Sequence, residues 1–93
     1  MQFEWDANKA ATNRRKHGVS FELAERVFLD PQRIEMLDTR KDYGEDRWIT
    51  IGFVEPQLLC VVYTLRGDDN ITRLISARKA DPNERAKYRQ THP

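Results

Sequence analysis

The chain reads as an α+β fold, on three observations. Helix stop and start signals crowd its first third. Strand-like runs separated by turn residues fill its middle, and a third helix signal follows them. The expected order is a short N-terminal strand, two helices, a four-stranded antiparallel sheet and a C-terminal helix. At 93 residues the chain makes one domain, spanning 1–93, with one modest core.

Gln2 to Trp5 read as the opening strand, and Asp6 caps a helix from about Ala7 to His17. The apolar spacing predicts an inward stripe of Ala7, Ala10, Ala11 and Arg14. Lys16-His17-Gly18-Val19-Ser20-Phe21-Glu22 then ends one helix and begins the next. Gly18 supplies the left-handed closing position, Ser20 is an N-cap, and Glu22 suits the first turn. The second helix offers Phe21, Leu23, Ala24, Val27 and Phe28 to the core and stops at Asp30-Pro31. A strand follows over Arg33 to Leu37, and the charged stretch Asp38 to Asp46 reads as a mobile loop.

Three strands come next, Arg47 to Val54, Leu58 to Arg66 and Ile71 to Lys79. Pro56 and the Gly67-Asp68-Asp69-Asn70 turn separate them, which predicts hairpins. Pairing Val54 with Leu58 and Leu65 with Ile71 puts Ile49, Ile51 and Phe53 on one face with Leu59, Val61, Tyr63, Ile75 and Ala77. Arg73 then lies beside Tyr63, and Arg78 falls on the opposite face with Trp48 and Cys60. A one-residue slip in either hairpin reverses these assignments. Asp81-Pro82-Asn83-Glu84 opens a last helix to about Gln90 with a capping box. Only Ala86 and Tyr88 are apolar in it, so it is weakly held by its own domain and suited to dock on a partner.

Sixteen basic and fifteen acidic residues nearly cancel, so any case for nucleic-acid binding rests on local clusters such as Arg14-Arg15-Lys16 and Arg78-Lys79. The single cysteine, Cys60, sits in an apolar run and reads as a buried thiol. With no signal peptide and no run able to span a bilayer, the expected place is the cytoplasm, with no membrane partner. One Cys and two His give no zinc-type ligand spacing, and no glycine-rich phosphate loop or nucleophile elbow is present. No metal and no cofactor are expected.

What remains is cations, a histidine, hydroxyls and tyrosines on a small sheet, a set sufficient for metal-free RNA cleavage. Attack of a 2′-hydroxyl on the adjacent phosphate needs a base, charge stabilisation on the phosphoryl oxygens and an acid for the leaving 5′-oxygen. Each candidate also has a structural reading. His17 and Arg14-Arg15-Lys16 suit a helix C-terminus, where cations are favoured. Arg78-Lys79 suits a phosphate or an ion pair, and Arg73 suits a half-buried structural pair. Trp5 and Phe21 are core anchors, whereas Trp48 or Tyr63 suits stacking on a base.

Several blocks together resemble one family. They are Phe3-Glu4-Trp5-Asp6 with Lys9 and Asn13, Lys16-His17-Gly18-Val19-Ser20-Phe21-Glu22, and Arg47-Trp48 with Ile51-Gly52. Val61-Val62-Tyr63-Thr64 with Arg66, Arg73 with Ile75-Ser76-Ala77-Arg78-Lys79-Ala80, and Glu84 with Tyr88 complete the set. The combination resembles the BrnT family of bacterial type II toxins. The resemblance implies a RelE-like fold and a metal-independent endoribonuclease that inhibits translation. It also implies a BrnA-type antitoxin with a ribbon-helix-helix region, in a hetero-oligomer. Sequence-specific DNA binding would then belong to that partner and not to this chain. In this reading His17, Arg73, Arg78 and Tyr63 are the catalytic candidates, with His17 the first choice for proton transfer. Lys9, Lys16, Trp48, Arg66 and Lys79 are the RNA-binding candidates. The alternatives are a non-enzymatic RNA- or ribosome-binding module and a pure protein-interaction domain.

Overall fold

A computed structural model describes residues 1–91. Its elements are β1 (Gln2–Glu4), α1 (Ala7–His17), α2 (Phe21–Glu25) running into a 3-10 turn (Arg26–Leu29), β2 (Ile34–Leu37), β3 (Trp48–Val54), β4 (Gln57–Arg66), β5 (Ile71–Lys79) and α3 (Pro82–Thr91). The local signals act as expected. Asp6 accepts from the Asn8 N–H at 2.9 Å, and Ser20 accepts from the Leu23 N–H at 3.1 Å. Gly18 adopts φ +71° and its N–H closes α1 on the Arg14 carbonyl at 2.8 Å. No helix among the described residues is long and apolar enough to cross a membrane.

The sheet is five-stranded and mixed, in the order β1-β5-β4-β3-β2, and not a four-stranded antiparallel sheet beside a separate strand. β1 adds to the free edge of β5 in parallel, over Ile71 to Arg73. The short β1 leaves the rest of that edge unpaired by any strand, and α1 closes it. The Asn13 side chain accepts from the Ala77 N–H at 3.0 Å and donates to the Ala77 carbonyl at 2.8 Å. It also donates to the Val19 carbonyl at 3.0 Å. One amide thus imitates a neighbouring strand and fixes the corner after α1. It also sets the rotation of the helix: Asn13 is buried and Ala10 half-buried, while Ala7, Ala11 and Arg14 are exposed, which corrects the expected stripe.

The hairpin registers are each one residue away from expectation. Val54 pairs with Gln57 across a two-residue turn, and Arg66 pairs with Ile71. Ile51 therefore lies opposite Cys60, and Gly52 opposite Leu59. The helix-covered face gathers Leu59, Val61, Tyr63, Leu74 and Ala77 under Phe21, Ala24 and Val27. Trp5 packs edge-on against Phe21 there, with ring centres 5.8 Å apart. A Cβ on Gly52 would stand 2.7 Å from Val27 Cγ1, so glycine lets the 3-10 turn rest directly on β3. The other face carries Ile51, Cys60, Ile34, Met36, Ile49 and Leu58, with Tyr88 of α3 packed against one end.

Two further expectations change. The segment from Asp38 to Asp46 is tied down: buried Asp38 accepts from Arg40 Nε and Nη2, both at 2.9 Å, and from the Tyr43 hydroxyl at 3.0 Å. Arg47 lies 4.1 Å over the Tyr43 ring. α3 is held more firmly than its two apolar residues suggest, because polar contacts do the holding. Tyr88 donates to Asp30 at 2.7 Å and Arg85 to the Ala80 carbonyl at 2.8 Å.

Candidate functional site

Residues five apart on a regular strand point to opposite faces. Arg73 and Arg78 of β5 nevertheless share one. Arg78 lies opposite Cys60, Ser76 opposite Val62 and Arg73 opposite Thr64, three alternate positions of β4. The phase is restored between Val62 and Tyr63, where Ile75 is an extra residue bulged out of the ladder. This corrects the expectation that Arg73 sides with Tyr63. Both arginines lie on the face away from α1 and α2, with Ser76 between them.

Each arginine meets a carboxylate. Arg73 Nη1 donates a short hydrogen bond to Glu4 Oε2, across the parallel register of β1 and β5. Arg78 donates from Nη1 to Glu84 Oε1 at 2.7 Å and from Nη2 to Glu84 Oε2 at 2.8 Å. Glu84 is also the capping-box acid of α3: it accepts from the Asp81 N–H at 2.9 Å, and its own N–H donates to Asp81 Oδ1 at 2.8 Å. The Cys60 thiol points at Glu84 Oε2 from 3.4 Å. Partial burial pushes the Glu84 carboxyl up, but hydrogen bonds from Arg78 and Asp81 and the Arg78 charge outweigh it, leaving the group below its ordinary value. Burial, and then the Glu84 charge, pushes the Cys60 thiol up to about 12.

Beside this face, a cleft of about 320 Å³ opens between α1 and the bulge of β5. Lys9, Thr12, Lys16 and His17 line it on the helix side, and Ile75 and Ser76 on the strand side. Helical spacing brings the first group to one side of α1. The corner from Lys16 to Glu22 therefore sits beside the strand that carries both arginines. Ser76 belongs both to the cleft and to the arginine face.

The structure thus brings Lys9, Lys16 and His17 together in one cleft against Ile75 and Ser76 of the strand that carries Arg73 and Arg78, while the arginines themselves lie on the face away from α1. It does not add the other candidates to them. Tyr63 is 3 % exposed, faces the helices, and packs edge-on against Phe28 at 5.1 Å. Trp48 lines a separate hollow with Glu45, Asp46 and Asp69, an acidic wall unsuited to phosphate, and Arg66 lies 3.5 Å from Glu45. Lys79 lines another cleft, against α3. Sequence reasoning missed Glu4 and Ser76 as site neighbours. Glu4 carried a legible signal, because strand alternation sets it opposite in sense to Phe3. Ser76 carried none, since the bulge that aims it has no signature in the chain.

Among the described residues no three His, Cys, Asp or Glu side chains gather closely enough to hold a metal ion. The chemistry on offer is cationic stabilisation of an anion, with an imidazole and a carboxylate for proton transfer.

No curated protein matches the chain. A family model does, over residues 5–84, and it describes BrnT, the ribonuclease toxin of a type II toxin–antitoxin system. That span runs from Trp5, through the α1 corner, the bulged strand and both arginines, to Glu84. On this match the chain belongs to the BrnT family of ribonuclease toxins of type II toxin–antitoxin systems.

Proposed function

We propose that this protein is a metal-independent endoribonuclease with a RelE-like fold, cleaving RNA in the cytoplasm and held in check by a BrnA-type ribbon-helix-helix antitoxin. The observation that carries the site is the bulge at Ile75, which sets Arg73 and Arg78 on one face beside the cleft of Lys9, Lys16 and His17. RNA lies across this face with the scissile phosphate on Arg73. Among the described residues only one Arg73 nitrogen has a side-chain partner, so the guanidinium keeps donors for phosphoryl oxygens. Arg78 adds field from two positions beyond Ser76, and Lys9 and Lys16 steer the strand.

The 2′-hydroxyl oxygen forms a bond to phosphorus as the bond to the 5′-oxygen breaks, leaving a 2′,3′-cyclic phosphate and a 5′-hydroxyl. Glu4, paired with Arg73, takes the 2′-hydroxyl proton. Glu84 is a poor base, because its oxygens are occupied by Arg78 and Asp81. His17 gives the proton to the leaving oxygen.

The test is purified protein with messenger RNA in excess EDTA, with and without antitoxin. The expected result is fragments with 5′-hydroxyl ends, suppressed by the antitoxin. Intact RNA recovered from protein that still binds the antitoxin would refute cleavage and leave a binding module.

A further inference from the structure

A second cleft lies on the same face of the sheet as the arginines, at its α3 end. About 430 Å³ of space lies where α3 crosses the end of the β3–β4 hairpin. Its floor is apolar: Phe53, Pro56, Leu58 and Ala80, with the Tyr88 ring at the side. Phe53 is 46 % exposed, although its strand neighbours Gly52 and Val54 are buried. The apolar surface continues past Phe53 to Leu29, which is 79 % exposed and shares an adjoining hollow with Phe53 and Tyr88. An aromatic ring and a leucine left in water beside a preformed groove mark a surface built to be covered.

The charge of the rim selects the occupant. Lys79, Arg85 and Arg89 border the groove, and among the described residues no carboxylate lines it. An apolar floor inside a cationic rim complements a helix with one apolar stripe flanked by Asp and Glu. An RNA strand fits it less well. Its phosphates would find the cations, but beside the Phe53 and Tyr88 rings the floor is proline, leucine and alanine, not a continuous run of stacking rings.

We propose that this groove is the docking site for an acidic amphipathic helix of the protein antitoxin. The proposal rests on the toxin–antitoxin reading above, and it seats the partner at the α3 end of the face whose arginines are proposed to take the RNA. The two communicate through α3. Arg85 and Arg89 face the groove, while Glu84 at the start of the same helix holds Arg78. A partner seated in the groove therefore clamps the helix that orients Arg78.

The test uses the full chain and a BrnA-type antitoxin. Phe53→Asp and Arg89→Glu each place an acid against an acidic helix, at positions exposed enough to spare the fold. Calorimetry is expected to show at least about tenfold weaker antitoxin binding for each, against an unchanged melting temperature. Cleavage by the free variants should match wild type. A photo-crosslinking residue at position 53 should join the antitoxin through an acidic segment. Wild-type affinity in both variants, or crosslinks to RNA in place of antitoxin, would overturn the proposal, as would an antitoxin that does not bind the wild type. If antitoxin binding drops in the variants but wild type leaves RNA intact, the groove stands and the ribonuclease reading falls.

Discussion

Arg73 meets Glu4 at the outer edge of the sheet, whereas Arg78 meets Glu84 at the first turn of α3. Both arginines lie on one face of one strand, and both are about a third exposed. The carboxylates differ more: Glu4 is 37 % exposed and Glu84 16 %. Arg73 is held by one nitrogen, and Arg78 by a two-pronged contact whose acceptor also caps a helix and takes a thiol hydrogen bond. Exposed, singly bonded pairs contribute little to stability and exchange partners readily. Enclosed, networked pairs are costly to break. The same two residue types thus give one arginine held by a single contact at the sheet edge and one built into the fold.

The widest separation is expected in activity. Arg73→Ala should lower cleavage about 10²–10³-fold, the usual effect of losing a cation on developing charge, with little change in melting temperature. Glu4→Gln should cost about 10²-fold or more. Arg78→Ala should instead lower stability by roughly 1–3 kcal/mol, because it leaves the half-buried Glu84 carboxylate without its main donor. It should also speed amide exchange at the start of α3. Steady-state cleavage and thermal melts of the three variants decide it. A larger activity loss from Arg78→Ala than from Arg73→Ala reverses the assignment.

The two pairs share a dependence on the strand that carries them. Asn13→Ala strips the Ala77 N–H and the Ala77 and Val19 carbonyls of their partner in a buried setting, at roughly 3 kcal/mol. Chemical denaturation should show that loss, with activity per folded molecule reduced only where the edge of β5 frays toward the site. A loss under about 1 kcal/mol would mean that water replaces the amide, and that α1 is not what closes the edge.

Much of this frame was legible in the chain. Asp6, Gly18, Ser20 and the capping box at Asp81 act through bonds to neighbours within a few residues, and such signals need no tertiary knowledge. The register was not legible, because a two-residue turn and a three-residue turn at Pro56 differ by one pairing and both satisfy the apolar count. The bulge at Ile75 was hidden for the same reason: alternation in Ile71 to Lys79 reads smoothly until β4 is laid beside it. The pinned segment from Asp38 to Asp46 was misread because its charges look solvated. What holds it is one buried carboxylate accepting from Arg40 and Tyr43. Of the candidate site, Lys9, Lys16 and His17 of α1 were named by the family resemblance, and the structure sets them on one side of the helix. The common face of Arg73 and Arg78 depended on the bulge.

Acid should separate the pairs again, less widely. A carboxyl held below its ordinary value stabilises the fold above that value, and the contribution is lost as pH falls through the lowered one. Glu84, ordinarily near 4.5, is held down by Arg78 and Asp81, so its contribution should disappear below about pH 4.5. Asp38 behaves the same way, held low chiefly by the Arg40 hydrogen bonds, and it gives every variant a common acid loss. Stability of Glu84→Gln relative to wild type should therefore converge as pH falls from 5 toward 2. The measurement is denaturant midpoint against pH. A difference that stays constant over this range would show that Glu84 acts only as a helix cap.

The smallest effect reads the enclosed pair from inside. Cys60 is 2 % exposed, and its thiol, pushed up by burial and the Glu84 charge, stays protonated at ordinary pH. The native protein should react with a maleimide far more slowly than the unfolded chain. Arg78→Ala and Glu84→Gln loosen the start of α3 over Cys60 and should raise the labelling rate several-fold. Arg73→Ala and Glu4→Gln, which act at the far edge of the strand, should not. Glu84→Gln also removes the charge that opposes the thiolate, so its rate should rise above that of Arg78→Ala, which removes a cation favouring it. Equal rates in those two variants would mean that opening of α3 alone limits the reaction. An increase in Arg73→Ala would mean that the two ion pairs belong to one cooperative unit and that the contrast between them is local to their geometry.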